Sequence, residues 1–159
     1  MLIRLAVEAD LPELSAIFAR ARDYMVRTGN PTQWGDAYPP EELIRSDIAA
    51  GSCHVCEVDG RIQCTFSAFP EGDPSYSLIW DGAWPDDGPY CAVHRVATRG
   101  EVRGIARHCL RWCVERWGRV RIDTHADNLP MQHILEQLGF VRCGKVPYRG
   151  EERIAYQNA

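Results

Sequence analysis

Three proton-accepting side chains, Asp123, His94 and His125, and a glycine-led helix start at Gly104 are the positions in this sequence best suited to chemistry. His94 lies in the apolar run Tyr90-Cys-Ala-Val-His-Arg-Val-Ala97; Asp123 lies in Val120-Arg-Ile-Asp-Thr124, with His125 directly after it. Imidazole titrates near neutral pH, and a carboxylate beside a reacting amine can take or route its proton, so all three are candidate general bases. Between the two runs stands Glu101-Val-Arg103-Gly104-Ile105-Ala106-Arg107. A helix N-terminus offers unpaired N–H groups and about half a positive charge, and glycine there lets a phosphate approach the backbone. Arg103 and Arg107, with Arg99 just upstream, add charge suited to a multiply phosphorylated ligand. Arg103, Arg107, Arg111 and Glu115 also recur four apart, as a solvated helix stripe would. Spacing alone leaves both readings open.

These groups are positioned by a strand over 90–97, a helix from Gly104 to Trp117, a strand over 120–124, and an Asn128-led helix from Leu129 to Leu138 before Gly139-Phe140. Upstream, Leu2–Val7 alternates as a strand, and Asp10 with Glu13 makes a capping box for a helix carrying Leu11, Leu14, Ile17, Phe18, Ala21 and Met25. A turn-rich segment around Trp34 leads to a short helix from Pro40 to about Gly51. The turn Asp59-Gly60 joins strands Cys53–Val58 and Arg61–Phe69, and Tyr76–Trp80 is a further candidate strand. Val141–Val146 and Arg153–Tyr156 close the chain about Arg149-Gly150. The reading is one domain over 1–159, a mixed α/β fold.

Strand, R-G-x-A, helix, strand, then N-x-P-M-x-x-x-L-x-x-L-G-F resembles, over roughly 90–146, the core of the GNAT superfamily of N-acetyltransferases. The flanking elements follow the same order, so the resemblance spans nearly the whole chain. It implies a mixed, mostly antiparallel central sheet flanked by helices on both faces, with acetyl-CoA as co-substrate and direct attack by a primary amine in a ternary complex. Backbone N–H groups near Val96 and Ala97 would hold the pantetheine arm and acetyl carbonyl. Arg103, Gly104, Ile105, Ala106 and Arg107 would take the pyrophosphate, and Asn128 the pantetheine arm, although Asn before a helix is also an ordinary N-cap. Asp123 matches a strand carboxylate of one branch of the family, five residues before Asn128, which makes it the first choice of base, ahead of His94 and His125. Two positions depart from the pattern. Glu101 stands where the phosphate loop carries Gln or Arg, and Leu135 stands where the family often has a tyrosine acid. They favour the alternative of a noncatalytic CoA-binding or regulatory module.

Composition narrows the partners. A net charge of −4 without a long basic run argues against nucleic acid. No stretch approaches the roughly 20 apolar residues that span a bilayer, and no signal-peptide core opens the chain, which places it in the cytoplasm and off the membrane. Seven cysteines without a paired framework read as reduced thiols, and the lone Cys53-x-x-Cys56 as packing, so no metal is expected. A missing G-K-[ST] argues against a nucleotide hydrolase. Glu71, Asp73, Asp81, Asp86 and Asp87 beside Trp80 and Trp84 would suit a cationic amine, with Trp34 as a further pocket wall. The acceptor is then a small-molecule or peptide amine; a homodimer is compatible with the sequence.

Overall fold

The computed structural model describes all 159 residues. Its strands are β1 (Leu2–Leu5), β2 (Cys53–Val58), β3 (Arg61–Phe69), β4 (Cys91–Thr98), β5 (Val120–Thr124), β6 (Phe140–Tyr148) and β7 (Glu151–Asn158). Its α-helices are α1 (Leu11–Arg27), α2 (Glu41–Ala49), α3 (Ile105–Trp117) and α4 (Leu129–Gln137). The strands form one sheet in the order β1-β2-β3-β4-β5-β7-β6, antiparallel throughout except for the β4–β5 pair. This is the mixed, mostly antiparallel sheet expected above. No helix is long and apolar enough to cross a membrane.

Each face of the sheet has its own core because strand side chains alternate sides. On one face Leu14, Ile17 and Phe18 of α1 and Ile44 of α2 pack with Val55, Ile62 and Ala97. On the other, Ile105, Cys109 and Leu110 of α3 and Leu135 of α4 pack with Phe66, Val93, Ile122 and Tyr156. Cys53 and Cys56, three apart on β2, therefore fall into different cores and cannot chelate one ion together. The cysteines are all free and buried.

Two irregularities in β4 shape the ground beside it. Between the pairs Ser67–His94 and Thr65–Ala97, β4 places two residues, Arg95 and Val96, opposite the single Phe66, and Arg95 takes φ +56°. This is a β-bulge, which leaves an unpaired residue and bends its strand. On its other edge β4 pairs with β5 only at Cys91–Val120 and Ala92–Arg121. Beyond Ala92 the two parallel strands part and leave backbone groups of both edges facing an open wedge.

Some local expectations change. The Asp10 carboxylate does not cap α1; it accepts from the Val7 N–H at 2.8 Å and from Arg4 Nη1 and Nη2 at 2.8 and 3.0 Å. Tyr76–Trp80 is not a strand. Pro74–Leu78 forms a 3-10 turn, started by Asp73 accepting from the Ser75 N–H at 2.9 Å, and Trp80 meets β6 only through an isolated bridge to Lys145. Proline at the first turn and an Asp cap outweigh the apolar alternation there.

Candidate active site

The wedge between β4 and β5 opens into a cavity of about 290 Å³. Its walls include Val93 to Thr98 of β4, Ile122 to Thr124 of β5, Asn128 and Met131 at the start of α4, and Ala106 in the first turn of α3. Arg20, Tyr24 and Met25 of α1 close one side, and Trp34, Tyr38 and Tyr148 close another. Thr124 is fully buried there, and its hydroxyl has no hydrogen-bond partner in the protein.

At the α3 end, Gly104 is the N-cap with φ +77° and contributes no capping side chain. The first-turn N–H groups of a helix have no intrahelical partner, so those of Ile105, Ala106 and Arg107 are free for an anion. A Cβ built on Gly104 would meet nothing within 4 Å, so the ground beside the helix start is open. Arg103 is exposed beside it, and Arg107 donates to Gln137 at its rim. Arg99 points elsewhere: it donates to the Ile62 carbonyl at 2.7 Å and to Glu13 at 2.6 Å. Glu101 likewise turns toward β3, pairing with Arg61 at 3.2 Å and accepting from Gln63 at 3.2 Å. Its carboxylate is engaged away from the helix start. Arg20, absent from the sequence reading, reaches across from α1 to the Thr98 carbonyl at 3.4 Å; nothing local in the sequence marks it, because its place depends on α1 crossing β4.

At the other end lies a cluster of ionisable groups. His94 Nε2 is 2.9 Å from Asp73 Oδ2, and its Nδ1 is 3.6 Å from Asp123 Oδ2. The Asp73 carboxylate thus holds the tautomer with hydrogen on Nε2 and leaves the Nδ1 lone pair facing Asp123. The imidazole hydrogen bond, joined by the Ser75 donors, keeps the Asp73 carboxyl depressed to about 2. On the far side the Tyr76 phenol donates to Asp123 Oδ2 at 2.6 Å. Burial and the Asp123 charge push that phenol well up, so it stays a donor. Asp73 and Tyr76 come from the loop after β3. The acidic character of that loop was visible in sequence; its reach to His94 was not.

The remaining expected residues divide. Val96, Ala97, Ala106 and Asn128 line the cavity together with His94 and Asp123. Asn128 is the N-cap foreseen for it, its Oδ1 accepting from Met131 N–H at 3.1 Å, while its Nδ2 donates one hydrogen to Gln33 at 2.9 Å, with a second left over. His125 does not line the cavity. Its Nδ1 accepts from the Asp127 N–H at 2.9 Å and its Nε2 faces the Thr32 hydroxyl at 3.3 Å, which ties the β5–α4 loop. Trp34 is a buried wall. Trp84 stands behind Tyr76, donating to its carbonyl at 2.8 Å, and Trp80 sits against β6, so neither borders the cavity. Leu135 is fully buried in the α3–α4 core. Asp123 pairs with neither Arg95 nor Arg121: Arg95 binds Asp47, and Arg121 stacks between Trp84 and Tyr90.

No protein-family model matches the chain, and no curated protein does. Solved structures do match. The chain is 34% identical to an acetyltransferase of the GNAT family from Streptococcus agalactiae, over 99% of this chain and 94% of that one, with a TM-score of 0.90. A ribosomal-protein-alanine N-acetyltransferase from Brucella melitensis shares the fold at 21% identity, covering 99% of each chain, with a TM-score of 0.65. AAC(6')-Ib, solved with ribostamycin and coenzyme A, shares it at 18% identity over 99% of this chain and 92% of its own, with a TM-score of 0.69.

Proposed function

We propose that this chain, which belongs to the GNAT family of acetyltransferases, transfers an acetyl group from acetyl-CoA to a primary amine by direct attack, with both substrates bound together. One observation carries the reading. A single cavity runs from the first turn of α3, at Ala106, to the paired side chains His94 and Asp123. It therefore joins an anion-binding helix start to an acid–base cluster.

The cavity fits acetyl-CoA on the chain's own chemistry. The uncapped N–H groups after Gly104, with Arg103, Arg107 and Arg20 near them, suit the phosphates. The parted β4 and β5 edges and the spare Asn128 donor suit the amides of a pantetheine arm. Coenzyme A and acetyl-CoA, bound in separate structures of AAC(6')-Ib, accompany the same fold. When bound, the thioester supplies an acyl carbon whose thiolate leaves readily.

The residues at the inner end do the rest. Asp123 attracts and orients the amine, and His94 Nδ1 removes the proton that the nitrogen must lose on forming the amide. Asp73 keeps the imidazole in the receptive tautomer and stabilises it once charged. The bulged backbone near Val96 offers N–H groups to the carbonyl oxygen as negative charge gathers on it. His94 thus takes the base role, with Asp123 as its partner. Trp34 walls the acceptor side, and a small-molecule or peptide amine fits there. The seven free cysteines support a cytoplasmic setting.

Thiol release from acetyl-CoA in the presence of primary amines, measured for the native protein and for His94→Gln, tests the proposal. Amine-dependent release that falls at least about a hundredfold in the variant is expected from loss of a general base. Tight acetyl-CoA binding without release across small amines and peptide N-termini would instead make the protein a noncatalytic CoA-binding module.

A further inference from the structure

Tyr148, at the end of β6, lines the same cavity, and its ring centroid lies 5.9 Å from that of His94. Its hydroxyl has one protein partner, the Tyr38 hydroxyl. Tyr38 in turn receives an N–H from Arg95 Nη1 at 3.3 Å.

This chain has a direction. A guanidinium has donors only, so Arg95 must give to the Tyr38 oxygen. A phenol that accepts from a cation becomes a better donor and a poorer acceptor, since hydrogen bonds in series polarise one another. Arg149 reinforces this, its guanidinium 3.9 Å above the centre of the Tyr38 ring. Tyr38 therefore donates to Tyr148, and the Tyr148 hydrogen has no protein acceptor. It is left to point into the cavity. Arg153 lies 5.7 Å from the centre of the Tyr148 ring, adding positive potential on that side. Burial, with the Tyr38 contact, raises the Tyr148 phenol above its usual range, so its proton stays on through neutral pH.

We infer that Tyr148 is the hydrogen-bond donor to the departing sulfur of the acyl donor, aimed by the series Arg95–Tyr38–Tyr148. This rests on the acyl-transfer reading above. In the step concerned, the amine nitrogen bonds to the acyl carbon and the carbon–sulfur bond breaks, its electron pair staying on sulfur. The proton lost by nitrogen goes to His94 Nδ1 and from there to the thiolate or to water. Tyr148 gives up no proton; it lowers the energy of the sulfur anion by a hydrogen bond.

Coenzyme A itself is the probe. The ultraviolet absorbance of its thiolate, followed against pH in the complex with native protein, reports how far the site stabilises that anion. With Tyr148→Phe the bound thiol should ionise at higher pH, by about one unit, the equivalent of the roughly 1.5 kcal/mol at which a hydrogen bond to a charged group begins. Turnover with an active amine should fall about tenfold or more with the KM for acetyl-CoA little changed, and Tyr38→Phe should shift both readouts the same way by less. Identical thiol titrations for the native protein and both variants would overturn the inference and leave the transferase reading standing. Failure of the native protein to bind coenzyme A would overturn both. Should Tyr148→Phe lower the melting temperature enough to unfold the protein, Tyr38→Phe alone decides, because an unchanged thiol titration there breaks the proposed series.

Discussion

Arg95 and Asp47 meet in a buried two-pronged ion pair, Nε to Oδ2 at 2.8 Å and Nη2 to Oδ1 at 3.0 Å, which ties the β4 bulge to α2. Ser67 of β3 donates to the same carboxylate at 2.7 Å. Arg95 has the left-handed backbone of the bulge, which costs a residue with a side chain roughly 1–2 kcal/mol. The pair holds that conformation. Asp47→Ala would strand a buried guanidinium and should destabilise the protein by about 3 kcal/mol, measured by urea unfolding. Native stability in the variant would show that the bulge holds itself.

Gly104→Val places a branched side chain in the open ground beside the helix start. Because no protein atom lies within 4 Å of the new Cβ, the structural cost is that of a branched residue at φ +77°, about 1–2 kcal/mol. Acetyl-CoA affinity should fall at least tenfold while the folded circular dichroism spectrum is kept. Unchanged affinity would remove the phosphates from this helix start.

Arg20→Ala should weaken acetyl-CoA binding several-fold, more at low than at high salt, as expected of a guanidinium that lines the groove and attracts phosphate charge through screening solvent. Titrations at two salt concentrations check this. A loss insensitive to salt would assign Arg20 to packing against Tyr24 instead.

The Asp73–His94 contact makes a pH-dependent contribution to stability. The Asp73 carboxyl is depressed from 3.8 to about 2 by the imidazole and Ser75. A depressed folded-state value means the contribution is present above the unfolded value and lost as pH falls through the folded one. It should therefore be complete above about pH 5 and gone near pH 1, and is worth roughly 2 kcal/mol. Asp73→Asn should flatten the acid limb of stability against pH. An identical acid limb in native and variant protein would contradict it.

The proposed phosphate end of the groove was legible in sequence because it is local: strand, Arg103-Gly104-Ile105-Ala106 and helix are contiguous. The sheet and its helices were legible for the same reason of periodicity. The acid–base end was only half legible. His94 and Asp123 stand on strands whose parting brings them together, but Asp73 arrives from an acidic loop whose reach was not visible, and Tyr76 from a segment read as a strand. Arg20, Tyr38 and Tyr148 come from α1, the turn-rich segment and the end of β6, converging only through tertiary packing. His125, so near Asp123 in sequence, is drawn into its own loop by the Asp127 N–H.

Calorimetric titration of the native protein with acetyl-CoA, with ATP as comparison, is the most direct test that the β4–β5 groove is an acyl-CoA site. Saturable binding of acetyl-CoA at about micromolar affinity, near −8 kcal/mol, is expected, with none of comparable strength for ATP. Absence of acetyl-CoA binding, or equal binding of ATP, would contradict it.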